Sequence, residues 1–223
     1  MPFSSVLGAS SVIKPGVCTS TTRPTVPYDG QLIYETDTNL VKAYDGAAWA
    51  TVGPSAGGMT FVAAQSFTTA ATVSMAAGTF TSTYQNYLVM LQITANSTGQ
   101  TISLRVNNAG SPRTGASYYG SKFDVTAAAA TAATGSNGAT SFNFGTLGTT
   151  GLGGFAFSVY SPLVATTRTS LSYTGMGINN GISTNASIFG GMQYDTAEAN
   201  DGLTFLVGGT ITGNLRVYGL ADS

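Results

Sequence analysis

The sequence has no histidine, so the commonest general base, any Ser-His-Asp triad and the most frequent transition-metal ligand are missing together. Its single cysteine, Cys18, excludes an intramolecular disulfide and a zinc cage, and a free thiol fits folding in a reducing cytoplasm. Charged residues make up 8% of the 223, against about a quarter in an ordinary soluble domain. The eight Lys/Arg are scattered singly, leaving neither a basic stripe for phosphates nor a polybasic patch for lipid. Nucleic acid and membrane are therefore not expected as partners. No apolar run approaches the ~18 residues of a membrane span, and Met1, Pro2, Phe3 and Ser4 open the chain without the basic and apolar regions of a secretion signal.

What is present is a patterned apolar set on a weakly charged chain. Hydrophobic residues reach 43% and aromatics 10%, too many and too regularly placed for a disordered low-complexity segment. A near-neutral surface of hydroxyls and amides repels its neighbours poorly, so a protein largely covered by other subunits is the favoured reading.

Helical periodicity is nearly absent, and short runs alternate with period two. Ile102, Leu104 and Val106 share one face, as do Phe155, Phe157 and Val159, and Leu203, Phe205 and Val207. The run Tyr87–Ile93 is apolar on both faces, the mark of a central strand. Further strands are predicted near 59–67, 117–125, 141–144, 169–177, 186–194 and 211–219. About ten strands without crossover helices predict an all-β fold, an antiparallel two-sheet sandwich of jelly-roll type.

The segment Gly53-Pro-Ser-Ala-Gly-Gly58 reads as a linker. Downstream, residues 59–223 form the sandwich; upstream, residues 28–52 predict a small three-stranded β-meander with turns at Glu35–Asn39 and Asp45-Gly46. Two or three strands bury too little to stand alone, so this appendage is expected to pack on its own sandwich or on another subunit, with Trp49 anchoring it. Residues 1–27 hold four prolines and no periodic stripe, which predicts an extended arm; Val12 and Ile13 would dock it. Ala127–Ala133 and the Thr-Gly-Ser-Asn-Gly after it read as a low-complexity surface loop.

Motifs for chemistry are scarce. The glycines of Gly148–Gly154 precede a strand rather than open a helix, so they form no phosphate cradle. Asp195, Glu198 and Asp201 are the one dense acidic group; a solvated turn is the expected reading, with a weak calcium site as the alternative and glycoside hydrolysis the remotest. Tyr118 and Tyr119 follow a loop that displays them for glycan contact, although adjacent strand residues face opposite ways and one should be core. No cofactor and no enzymatic activity are expected.

The stretch Ser20-Thr-Thr-Arg23-Pro24-Thr-Val-Pro27-Tyr28-Asp-Gly30-Gln31-Leu-Ile33-Tyr34-Glu35-Thr36-Asp37-Thr38, followed by Tyr44-Asp45-Gly46-Ala-Ala-Trp49, resembles a module of tailed-bacteriophage structural proteins, often minor tail or fibre proteins. The runs Tyr84–Tyr87, Leu104–Val106, Ser117–Tyr119 and Gly213–Leu220 are similar to the β-sandwich part of such proteins. The resemblance implies a virion protein that folds in the host cytoplasm and is displayed on the particle exterior. It also implies a homotrimer joined to other virion proteins through residues 1–52, with Arg23, Pro24, Tyr34, Tyr44 and Trp49 in the attachment module. A capsid decoration or head-fibre protein, and a module recognising host-surface glycan, are the alternatives.

Overall fold

The computed structural model describes residues 15–53, 58–97, 99–126, 131–148, 153–178 and 185–221. The chain is all-β, with no helix among these residues, and it divides into two compact units, Met1–Ala56 and Gly57–Ser223.

The smaller unit holds β1 (Gly16–Cys18), β2 (Leu32–Glu35), β3 (Leu40–Tyr44) and β4 (Trp49–Thr51) in a 4-stranded sheet of that order. β2, β3 and β4 are the antiparallel meander that the turn residues predict. The β2–β3 turn closes on Asn39 at φ 56°, a left-handed position that Asn tolerates. The β3–β4 turn needs glycine, because Gly46 has φ 94° and a Cβ there would come within 2.9 Å of the Asp29 carboxylate. The arm contributes more than its prolines suggest: Gly16–Cys18 pairs with β2 in parallel, Gly16 opposite Ile33 and Cys18 opposite Glu35. The expected arm anchors Val12 and Ile13 lie outside the described residues.

The larger unit holds β5 (Met59–Ser74), β6 (Asn86–Asn96), β7 (Gln100–Asn108), β8 (Ser111–Pro112), β9 (Tyr118–Thr126), β10 (Thr131–Ala139), β11 (Phe142–Leu147), β12 (Gly153–Tyr160), β13 (Arg168–Ile178), β14 (Asn185–Ala197) and β15 (Gly202–Leu220). They form one 11-stranded sheet in the order β10-β9-β14-β13-β12-β6-β15-β7-β11, with β5 beside β15 and β8 beside β7. The sandwich is thus a single curled sheet rather than two separate ones. The two runs expected near 203–207 and 211–219 are halves of β15, which pairs with β7 through Gly202–Val207 and with β6 through Ile211–Leu220. Register shifts between Leu206 and Gly213 mark the bend, and β5 follows it on the other edge. One layer leads from β15 to β7 and β11, the other through β6, β12, β13 and β14 to β9 and β10. Gly213 sits at the crossing, where a Cβ would collide with the Gln92 carbonyl.

β11 returns over β9, β13 and β14 and closes the core. Phe144 is its hub, edge-on to Phe155 and Phe157 at 5.0 Å each, and to Tyr173 at 5.9 Å and Phe205 at 6.0 Å. Residues Thr131–Ala139, expected within a loop, are instead β10, antiparallel to β9 at the sheet edge. Its small and polar Ala, Thr, Gly, Ser and Asn residues carry no apolar alternation, so the ladder to β9 is what defines this strand.

Candidate functional site

In the small unit, the polar residues of the stretch 20–49 find their partners within the unit. Arg23 Nε donates to Glu35 Oε1, and Thr38 Oγ1 donates to Glu35 Oε2 at 2.9 Å. Glu35 is fully buried while the Arg23 side chain keeps 35% of its surface. The Arg23 hydrogen bond outweighs burial and holds the Glu35 carboxyl below its ordinary range. Asp37 accepts from the Ser20 amide at 2.9 Å and its hydroxyl at 2.5 Å, and the Ser20 hydroxyl lowers its pKa. Asp45 caps the second turn by accepting from the amides of Ala47 and Ala48, which lower its pKa in turn. These bonds substitute for a core, because Ile33 is the one deeply buried large apolar side chain among the described residues of this unit. Tyr34 donates to Asn39 at 2.9 Å, Trp49 leans on Tyr44 at 5.4 Å, and Pro24 is half-buried. Three large apolar side chains of this unit face solvent: Val17, Val26 and Tyr28 are 62%, 89% and 70% exposed.

The three acids proposed for calcium do not converge. Asp195 pairs with Arg168 at 2.8 Å, and Glu198 is gripped by both Nε and Nη2 of Arg113 at 2.8 and 2.7 Å. Asp201 accepts from the amides of Gly78 and Gly110, pinning two loops. Among the described residues no three acidic or sulfur ligands gather into a metal cage. Asp195, near the end of β14, stays 40% exposed, and Glu198 and Asp201 lie in the connection between β14 and β15, each tied to a partner.

Tyr118 is fully buried, with its hydroxyl donating to Arg113 O at 2.9 Å and accepting from Val106 N at 3.1 Å. Desolvation pushes its phenol well above the ordinary value. A glycan does not reach it in this fold; Tyr119, pointing the other way, is the exposed member of the pair.

That other way leads to a second candidate surface, the outer face of the longer layer. Met90 on β6, Met176 on β13, Phe189 on β14 and Phe123 on β9 are all exposed there. The central strand β6 explains why sequence reasoning missed it: Tyr87, Val89, Leu91 and Ile93 fill the core, whereas Leu88 and Met90 belong to a face that the described residues of this unit leave open. A groove of about 570 Å³ runs over β15, β6, β12 and β13, floored by Gly154 and Ala156 and lined by Met90, Met176, Thr174 and Arg216. Models of known protein families, curated proteins and solved structures yield no match to this chain.

Proposed function

We propose that the chain is a non-enzymatic structural subunit of the exterior of a bacteriophage particle, a short fibre-like or tail-associated protein. In this reading residues 1–52 attach it to other virion proteins and the β-sandwich is displayed. The observation that carries it is the use made of the module at 20–49. Its polar residues bond within it, Ser20 to Asp37, Arg23 and Thr38 to Glu35, and Asp45 to the amides of Ala48 and Ala47, and they brace a sheet with almost no core of its own. Such a unit has its apolar surface, Val17, Val26 and Tyr28, facing outward. That is the arrangement of an attachment element completed by its partner. The absence of histidine supports the non-enzymatic reading, as does the engagement of Asp195, Glu198 and Asp201 in structural bonds.

The test is incorporation. Removing residues 1–27 deletes β1 and Arg23 and should abolish recovery of the protein in purified particles. Truncated chain present at normal copy number would remove the attachment role from this region.

A further inference from the structure

Strand β9 is inverted relative to its own hydropathy. Tyr118, fixed inward by its two hydrogen bonds, sets the register, and the period of two then places Lys122 and Asp124 inside and Phe123 and Val125 outside. The buried pair meets at 2.7 Å, but burying an ion pair is costly, and a well-packed apolar pair of similar volume is often as stable or more so. Core stability therefore does not account for apolar residues on the outer face. On that face Phe123 stacks on Phe189 of β14 with centroids 5.5 Å apart and planes 17° from parallel, a ridge left 38% and 44% exposed at its two rings.

The ridge and the groove lie on one hydrogen-bonded row, Arg216–Met90–Ala156–Thr174–Phe189–Phe123. We propose that this face is the contact surface between copies of the chain, with the Phe123–Phe189 ridge of one copy seated in the Gly154–Ala156 groove of the next. Three features select a second copy as the occupant. The row carries a single charge, Arg216, at its β15 end, so a strongly charged partner finds no set of counter-charges, whereas the chain's own ridge is uncharged. From the groove floor on β12, Phe189 lies two strands away and Phe123 three, about 10 and 15 Å along the same face, so no copy fills its own groove. The six strands of the row span about 25 Å and their four outward rows about 25 Å more. That is roughly 600 Å² per copy, and a pair then buries about 1,200 Å², the lower bound of a stable specific interface. Exchanged across a two-fold axis, or repeated around a closed ring, the contact leaves no ridge or groove unmatched.

Gly154 supplies a variant that leaves the fold alone: it is outward-facing, and a Cβ there meets nothing within 4 Å. In the full chain carrying Cys18→Ser, light scattering after size exclusion should give a multimer. Gly154→Phe, which fills the groove, and the double change Phe123→Ser/Phe189→Ser, which removes the ridge, should each weaken self-association about a hundredfold with the circular dichroism spectrum unchanged. Ala156→Cys combined with Phe189→Cys should form a disulfide between copies on oxidation, since within one copy the two positions exceed the ~7 Å reach of that bond. A monomeric parent, or a multimer that survives both variants without cross-linking, overturns the proposal. Neither result bears on the particle-incorporation test, so the two readings fail separately.

Discussion

Arg23 and Glu35 concentrate what the module does at the level of single side chains. A buried carboxylate facing a half-exposed guanidinium depends on its partner, and Arg23→Ala strands it. Arg23→Ala is expected to lower the melting temperature of the small sheet more than Glu35→Gln does. Trp49 is the single tryptophan and leans on Tyr44, so its fluorescence reports this unit. Acid should unfold it in a defined direction. Glu35, Asp37 and Asp45 titrate below their ordinary values of 4.5, 3.8 and 3.8 when folded. Between the folded and ordinary values the unfolded chain binds more protons, so the stabilisation is complete above about pH 5 and is lost as pH falls through the folded values. Glu35→Gln should flatten the decline of the Trp49 transition below pH 4.5. A Trp49 transition equally stable at pH 3 and pH 7 would contradict this. Lys122 and Asp124 give a second residue-level expectation: Lys122→Met alone should cost the sandwich about 3–5 kcal/mol, and Lys122→Met with Asp124→Leu should recover most of it. Neither pairing was legible in the sequence: Lys122 and Asp124 share a face of β9 by the period of two, but their own hydropathy marks that face as the outer one, and Arg23 reaches Glu35 through a loop whose course no periodicity records.

At the scale of elements, alternation did most of the reading. β7, β12 and β13 were visible because period-two apolar positions coincide with one buried face, and β6 because its run is apolar almost throughout. The signal failed where burial and apolarity part company. β10 is an edge strand of small residues, β9 turns its charges inward, and β15 continues through Gly208 and Gly209, which read as a break between two strands. The curl of the sheet was illegible for the same reason, being a property of where one long strand changes partners. Phe144 and Phe189 separate the two kinds of aromatic position. Phe144→Ala removes the hub of the core cluster and should cost about 3–5 kcal/mol in chemical denaturation, whereas Phe189→Ser should stay within about 0.5 kcal/mol for the monomer fold. Equal losses would mean that the outer face is packed within the monomer after all.

For the whole molecule, low charge, a small sheet short of core and an exposed apolar sheet face are what the proposal of a part surrounded by neighbours rests on. Composition made that much legible; the proposed viral address rests on the resemblance of residues 20–49 alone. The candidate surfaces were half visible. The module was found by its sequence, but the role of its residues in bonding one another, and the groove beside Gly154, required the fold. Quantitative mass spectrometry of purified phage particles from cells expressing the full chain tests the central claim most directly. The account predicts the chain in every preparation at a fixed copy number, retained after washing in high salt. Complete, infectious particles that lack it would contradict the account.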